Sequence, residues 1–217
     1  MSRYRAVLLD MDGTLIDTAP GVIACAKDCL NILGVPEPPE EVFHRFIGPP
    51  LPECFRLITG LDAEFCDRAA ELYKTLFGQK YIAKFSLYPG MYDLLAECHS
   101  NGILLGIATF KQPVHMKAAL EYLKIDHFFS SAVGTDPKST LSKSEIINIA
   151  VSELGLPRNK DILMIGDSFY DYEGARASGV DFAAAAYGYG FTDTDEIPGS
   201  CVAHDVSALI QFVFSKE

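Results

Sequence analysis

A short apolar run that ends in two acids is the feature that most constrains this chain. Residues 5–10, RAVLLD, are apolar from Ala6 to Leu9, which is typical of a strand buried on both faces of a sheet. Asp10 ends the run, and Asp12 follows two residues later. Two carboxylates this close repel each other unless a positive group lies beside them. The sequence therefore predicts a buried strand that leads into a site requiring a cation.

Strand and helix patterns alternate along the second part of the chain, from residue 85 onward. Apolar runs predict strands in ILLGIA, FFSSAVGT, DILMIG and DFAAAAYGYG, and helical spacing predicts helices in MYDLLAECHSNG, PVHMKAALEYL, KSEIINIAVSELG, YDYEGARASG and VSALIQFVF. This alternation is typical of a parallel sheet with helices on both faces, so we expect an α/β, Rossmann-like core.

Residues 18–84 follow a different pattern. Their apolar positions recur at helical spacing, Pro-rich breaks separate the segments, and no strand signal is present. We therefore predict two domains. Residues 1–17 and 85–217 form the core, and residues 18–84 form an inserted, all-helical cap.

Composition and charge exclude several classes of protein. Acidic residues number 29 and Lys plus Arg 18, a formal net charge of −11, which argues against a nucleic-acid-binding or membrane-surface protein. No segment approaches the roughly 18 apolar residues of a membrane span, and the N-terminal apolar run is too short for a secretion signal. The six cysteines form no CxxC pair and are expected to be reduced, so we expect a cytoplasmic protein.

Three of the predicted strands are followed by segments that carry acids, a hydroxyl or a lysine, and another lysine begins a nearby helix. These are Asp10 and Asp12 after the first strand, Thr109-Phe110-Lys111 after ILLGIA, Asp167 and Asp171 after DILMIG, and Lys143 at the helix start. The carboxyl ends of parallel strands meet at one edge of a sheet, and sites in open α/β sheets form where the strand order reverses. We expect these side chains to converge at that edge.

These motifs resemble those of the haloacid dehalogenase-like superfamily. DMDGTLIDT resembles its first motif, DxDGT, and GDSFYD at residues 166–171 resembles its fourth, GDxxxD. Thr109 matches the hydroxyl residue of the second motif, and Lys143 matches the lysine of the third. In this order, over nearly the whole chain, the motifs resemble the phosphatase branch with a helical cap inserted after the first motif.

The resemblance implies roles for the first acids. Asp10 would be the nucleophile that takes up a phosphoryl group, and Asp12 would be the general acid and base. Mg²⁺ would be held by Asp10, the main-chain carbonyl of Asp12, and Asp167. The acid at Asp12 favours phosphoryl transfer over dehalogenation, because a leaving halide needs no proton.

The resemblance also implies how the phosphoryl oxygens are held. Thr109, the backbone N–H of Phe110 and the Lys143 ammonium group would bind them. Asp171 would orient either metal-bound water or Lys143.

The implied activity is that of a Mg²⁺-dependent phosphatase. Its substrate would be a small phosphorylated metabolite of the phosphoglycolate or 5′-nucleotide type, hydrolysed through an aspartyl-phosphate, and the protein would be a monomer or homodimer. One alternative is a β-phosphoglucomutase-like transferase that returns the phosphoryl group to the substrate. Another is a non-enzymatic phospho-acceptor similar to a receiver domain.

Several residues have a second interpretation. Thr109 could be the N-cap of the following helix, and the acids Asp167 and Asp171 could stabilise a helix N-terminus. Lys138, in DPKST, is the other candidate for the site lysine. Spacing favours Lys143, because the lysine of similar proteins lies about 25 residues before the GD aspartate.

Other basic residues and one loop are candidates for substrate contact. Lys111 either faces the leaving group or is solvated. In the predicted cap, the rigid FIGPPL loop at residues 46–51, together with Arg45 and Arg56, could reach the substrate.

Overall fold

The structure, a computed structural model, describes residues 3–47, 51–136, 140–157, 160–191, 197–198 and 200–215. It separates into two compact units, Met1–Asp17 with Ser86–Glu217, and Thr18–Phe85. None of the helices within the described ranges combines the length and apolar character that a membrane crossing requires.

Eight strands, nine α-helices and two 3-10 helices follow one another along the described residues. They are β1 (Ala6–Leu9), β2 (Ile16–Asp17), α1 (Ala19–Ile32), a 3-10 helix (Glu40–Phe46), α2 (Leu51–Thr59), α3 (Ala63–Leu76), α4 (Gln79–Ile82), β3 (Ser86–Leu87), α5 (Met91–Ser100), β4 (Leu104–Ala108), α6 (Pro113–Leu123), a second 3-10 helix (Asp126–Phe128), β5 (Ser131–Val133), α7 (Lys143–Glu153), β6 (Ile162–Gly166), α8 (Phe169–Ser178), β7 (Asp181–Ala185), β8 (Cys201–Ala203) and α9 (Val206–Phe214).

The first unit is built on a parallel sheet with the strand order β5-β4-β1-β6-β7-β8. Strand β1 is central, and its Leu9 lies opposite Ile107 of β4 and Ile165 of β6. From β1 the chain adds strands first on one side and then on the other, so the winding reverses at β1. The predicted parallel α/β fold is confirmed, and the segments after β1, β4 and β6 meet at one edge.

Both faces of the central strand are buried. On one face, Leu8 packs in a cluster with Ile147 of α7 and Ala175 of α8. Side chains alternate along a strand, so Val7 and Leu9 point to the opposite face, where they are also fully buried. A strand covered on both faces has no polar side, which explains the continuous apolar run.

The second unit, Thr18–Phe85, is all-helical in its described residues. The rings of Phe46 and Phe55 meet edge to face at 4.9 Å between centroids in its core. Asp62 caps α3 by accepting a hydrogen bond from the Phe65 backbone N–H (2.9 Å). That these residues act as a cap over the core stays a prediction.

Four elements differ from the sequence prediction. Strands β2 and β3 form a two-stranded antiparallel ribbon, in which Ile16 lies opposite Leu87, and neither strand was predicted. Strand β8 pairs with β7 at the sheet edge and was not predicted. Helix α2 begins at Leu51, within a Pro-rich segment expected to be a break. Elements of two or three residues are too short for periodicity to detect.

Candidate active site

The loop after β1 folds back tightly at the carboxyl edge of the sheet. The Asp10 backbone N–H donates to the Ile165 carbonyl on β6 (2.9 Å), which ties the start of the loop to the sheet. The Met11 carbonyl accepts a hydrogen bond from the Ile16 N–H (2.9 Å), which closes the turn. Asp10 is buried and Asp12 is partly exposed. Both acids therefore lie on a loop that is anchored to the sheet.

Gly13 lets this loop approach the end of β6. Its φ is +83°, and a Cβ added there would overlap the Asp167 carboxylate. Gly155 has a similar φ of +67°, but nothing lies within 4 Å of an added Cβ. We expect Gly155→Ala to lower the free energy of unfolding by about 1–2 kcal/mol, the backbone cost alone, and Gly13→Ala to lower it further. Urea unfolding of the two variants measures the difference, and equal losses would contradict the close approach.

Lys143 lies at the centre of the cluster of acids. Its Nζ is 2.7 Å from Asp10 Oδ1 and 2.6 Å from Asp171 Oδ1, and its side chain is only 4% exposed. Burial lowers the pKa of Lys143, but attraction by Asp10 and Asp171 outweighs burial and raises it overall. A capping box between Ser142 and Glu145 fixes the start of α7, and therefore the position of this lysine.

Asp167 completes the cluster. One carboxylate oxygen from each of Asp10, Asp167 and Asp171 lies within 4.8 Å of the others. Asp167 Oδ2 accepts hydrogen bonds from the backbone N–H groups of Tyr189 (2.8 Å) and Gly190 (3.2 Å), which hold the carboxylate in place. Three buried carboxylates thus meet at the ends of two adjacent strands, β1 and β6.

The charges of this cluster favour a bound cation. Burial, with repulsion from Asp10 and Asp171, raises the pKa of Asp167 to about 7. Burial also raises the pKa of Asp10 to about 6, although Lys143 opposes this. Among the described residues, the Lys143 ammonium group contacts two of the three carboxylates, those of Asp10 and Asp171. Carboxylate oxygens suit hard divalent cations, so these residues could hold one.

The two acids after β6 differ in their contacts. Asp171 accepts hydrogen bonds from the Ser168 hydroxyl (2.6 Å) and the Ser168 N–H (3.1 Å), so it caps α8 as well as pairing with Lys143. The interpretation of Asp171 as a helix-terminal acid is therefore correct, but incomplete. Asp167 lies before the N-cap residue, Ser168, and makes its hydrogen bonds elsewhere.

Thr109 and Phe110 follow β4 at the same edge. Thr109 is buried, and its hydroxyl accepts a hydrogen bond from the Lys111 N–H (3.2 Å). The N-cap of α6 is Gln112, so the alternative role of Thr109 as N-cap is wrong. The Phe110 ring lies over the Lys143 ammonium group, with 5.0 Å between Nζ and the ring centroid.

Lys111 contacts the second acid of the first motif. Its Nζ lies 2.9 Å from Asp12 Oδ1 and 3.0 Å from Asp12 Oδ2. The Lys111 side chain is 11% exposed, so the interpretation of a solvated lysine is wrong. The sequence did not reveal this pairing, because 99 residues separate the two side chains.

The other candidates for substrate contact are less informative. Arg56 is exposed and pairs with Glu53, three residues earlier in α2. Arg45 is exposed in the 3-10 helix. Residues 48–50 of the FIGPPL loop and the rival lysine, Lys138, lie outside the described residues.

Some residues that shape the site were not found from the sequence. Besides Tyr189 and Gly190, the Thr14 hydroxyl donates to Asp167 Oδ1 (3.3 Å). A Cβ on Gly188 would overlap the carbonyl oxygen of Gly13. The GYG triplet after β7 was the available signal, since glycines near a strand end permit a close approach of backbones.

Comparisons with known proteins give consistent matches. The sequence profile of a family described as haloacid dehalogenase-like hydrolase matches residues 7–185. A 5′-nucleotidase from Pseudomonas aeruginosa is 32% identical, over 98% of this chain and 97% of its own. The tyrosine-protein kinase PtkA of Mycobacterium tuberculosis is 30% identical, over 92% of this chain and 68% of its own. A crystal structure of a putative phosphatase from Clostridium difficile superposes with a TM-score of 0.87 and 31% identity, covering 97% of this chain and 98% of that one.

Proposed function

Because the chain belongs to the haloacid dehalogenase-like hydrolase family, and is an enzyme of that family, we propose that it is a Mg²⁺-dependent phosphatase of small phosphomonoesters. The observation that carries the proposal is the contact of Lys143 with Asp10, beside the carboxylates of Asp167 and Asp171. In this proposal Asp10 would be the buried nucleophile, the Lys143 ammonium group would bind phosphoryl oxygens, and the neighbouring carboxylates would include metal ligands. The receiver-like, non-enzymatic alternative does not fit membership of a hydrolase family.

Asp10 acts as the nucleophile in this proposal. Its carboxylate attacks phosphorus, so a bond from Asp10 to phosphorus forms as the bond from phosphorus to the leaving oxygen breaks. Asp12 gives its proton to the leaving oxygen, and the alcohol departs. Water then attacks the phosphorus, Asp12 takes a proton from that water, and the bond to Asp10 breaks to release inorganic phosphate.

Three groups bind the transferred phosphoryl group. The Lys143 ammonium group is already at the Asp10 carboxylate, and the Thr109 hydroxyl and Phe110 N–H lie on the neighbouring strand end. Donors at these positions stabilise the charge on the phosphoryl oxygens as bonding changes.

Asp10, Asp167 and the Asp12 main-chain carbonyl would hold Mg²⁺, with Asp171 orienting Lys143 through its 2.6 Å contact. When bound, the ion offsets the negative charge shared by the carboxylates and the phosphoryl group. The support for this site is the close approach of two of these ligands, the buried carboxylates of Asp10 and Asp167, whose oxygens lie within 4.8 Å of each other and of an Asp171 oxygen.

The substrate class is proposed from the resemblance and from the relatives. A 5′-nucleotide or phosphoglycolate-like monoester is the first expectation, and a cytoplasmic location follows for such a metabolite. No disulfide joins the cysteines, which agrees with that location. The β-phosphoglucomutase-like alternative differs in passing the phosphoryl group to an acceptor other than water, as a kinase also does.

A phosphatase panel tests this proposal. Purified protein is incubated with nucleoside 5′-monophosphates, phosphoglycolate, sugar phosphates and p-nitrophenyl phosphate, with Mg²⁺ or with EDTA, and inorganic phosphate is measured. We expect release only with Mg²⁺. Absence of release from every compound would overturn the proposal, and isomerised sugar phosphate without release would favour the transferase.

The raised pKa values predict how stability depends on pH. In the folded chain burial raises the pKa of Asp10 to about 6 and the pKa of Asp167 to about 7, from an ordinary pKa of 3.8. Between pH 3.8 and the raised pKa values the folded state binds more protons than the unfolded state. The free energy of unfolding therefore falls as the pH rises from 5 to 8. In EDTA, we expect the decrease in the free energy of unfolding between pH 5 and pH 8 to be smaller in Asp167→Asn than in wild type by at least about 1 kcal/mol.

Urea unfolding of wild type and Asp167→Asn at several pH values measures this difference in pH dependence. Other titrating groups, such as His115, are present in both proteins, so their contributions cancel in the comparison. Saturating Mg²⁺ should reduce the fall in wild type, because the cation offsets the buried charge. Identical pH profiles for wild type and Asp167→Asn in EDTA would contradict the prediction.

A further inference from the structure

Lys111 makes a contact that the proposed reaction does not yet use. Its ammonium group binds both carboxylate oxygens of Asp12, at 2.9 and 3.0 Å. A single contact would leave the carboxylate free to rotate about its terminal bond, whereas contact with both oxygens restricts that rotation. The orientation of Asp12 in the structure is therefore linked to one lysine.

The backbone holds this lysine at a fixed place. The Lys111 N–H donates to the Thr109 hydroxyl (3.2 Å), and the Lys111 carbonyl accepts from the Thr135 N–H (3.2 Å). A Cβ on Gly134 would overlap that carbonyl, so the segment after β5 packs directly against Lys111. The segment after β5 thus holds the segment after β4 in place, at the edge of the sheet where Thr109 also lies.

A purely structural role does not explain the pair. Ion pairs with a partly exposed partner contribute little to stability, about 0–1 kcal/mol, and the Asp12 side chain is 31% exposed. By contrast, Lys117 on α6 has a side chain that is 77% exposed and pairs with Glu121 on the same helix. Lys111 is withdrawn from solvent to reach an acid of the first motif.

We propose that Lys111 is a positioning residue for proton transfer by Asp12, an inference that rests on the proposed phosphatase function. In the first half of the reaction the proton of Asp12 moves to the leaving oxygen as the phosphorus–oxygen bond breaks. The carboxylate left behind is the form that Lys111 binds in this structure. In the second half the same carboxylate, held in place, takes a proton from the attacking water.

This role predicts a dependence on the leaving group. An alkoxide leaving from an alkyl phosphate needs the proton, whereas nitrophenolate leaves from p-nitrophenyl phosphate without one. The value of kcat/KM reports the steps through departure of the leaving group, so it isolates the first proton transfer. Lys111→Met should lower kcat/KM for alkyl phosphates selectively.

The experiment compares kcat/KM for the most active nucleoside 5′-monophosphate of the panel with that for p-nitrophenyl phosphate. In Lys111→Met we expect this ratio to fall by about tenfold or more. A general acid contributes roughly 10²–10⁴-fold to the rate, and loss of its positioning should remove a part of that factor. Lys111→Arg, which keeps the charge, should recover part of the ratio. Lys117 is an exposed lysine on α6, so Lys117→Met should leave the ratio unchanged.

A double-mutant cycle separates action through Asp12 from direct action on the substrate. In an Asp12→Asn background, Lys111→Met should cause no further fall in the ratio, because the group that it positions is absent. If Lys111→Met lowers the ratio as much in the Asp12→Asn background as in wild type, the inference is overturned and Lys111 contacts the substrate directly. Equal losses for both substrates, with thermal unfolding unchanged, would also overturn it.

Different results contradict the positioning role of Lys111 and the proposed phosphatase function. Wild-type protein that hydrolyses both compounds, with a ratio insensitive to Lys111→Met, contradicts the positioning role and leaves the phosphatase intact. Wild-type protein that releases phosphate from no compound of the panel contradicts the phosphatase, and the inference falls with it.

Discussion

Asp10→Asn is expected to lower phosphate release by at least about 10⁴-fold while leaving the protein folded. The amide cannot attack phosphorus, so the proposed covalent step would be lost whatever the substrate. The substitution is nearly isosteric and removes one charge from the group formed with Asp167 and Asp171, which lie within 4.8 Å. In EDTA at pH 8 the midpoint of urea unfolding should therefore be unchanged or higher. Steady-state kinetics with the best substrate of the panel and circular dichroism measure both effects.

Asp67→Asn is the matched control for this variant. Asp67 is exposed on α3, so its substitution should change neither activity nor the unfolding midpoint. Activity of Asp10→Asn within tenfold of wild type would contradict the assignment of the nucleophile. A failure to fold would instead contradict the expectation that the charge of Asp10 is not required for stability.

Lys143→Met is expected to affect stability and activity together. Lys143 contacts Asp10 and Asp171, and both carboxylates would be left buried without a cation. Removing one partner of a buried ion pair costs about 3–5 kcal/mol, so we expect a loss of that size in EDTA at pH 8. Losing a donor to the phosphoryl oxygens should lower kcat by about 10²–10³-fold, even where Mg²⁺ restores the fold.

The conditions of the measurement distinguish this effect from loss of packing. Lowering the pH from 8 to 5 should recover part of the lost stability, because Asp10 can then be protonated in the folded state. Mg²⁺ should recover part of it as well, by supplying positive charge. Lys138→Met, which removes the other lysine considered from the sequence, should leave kcat close to that of wild type. A larger loss in Lys138→Met than in Lys143→Met would reverse the assignment.

Much of the fold could be predicted because the signals are local. Helices α6 and α9 begin and end at the expected residues, and the central strands were found from continuous apolar runs. The family and the enzyme class expected from the motifs are confirmed by the family match. The ribbon of β2 and β3 was missed because strands of two residues carry no periodicity.

The site could be predicted only in outline. Asp10 and Asp167 end adjacent strands, so parallel topology alone brings them to one edge, although their roles stay predictions. The contact of Lys111 with Asp12 and the hydrogen bond from the Tyr189 N–H to Asp167 have no sequence signal. Each depends on how loops from distant parts of the chain pack, which no local pattern encodes.

The sequence by itself determined the chain order of the strands β1, β4, β5, β6 and β7 and of the helices between them, and the identity of the acids that follow the strands. Those properties depend on local periodicity and on residue type, both of which can be read along the chain. Only the tertiary structure decided which cation meets which acid, placing Lys143 between Asp10 and Asp171 and Lys111 against Asp12. Electrostatic interactions at 3 Å depend on distances in space, and burial strengthens them, so charge pairing is fixed only after the sheet and its loops have packed.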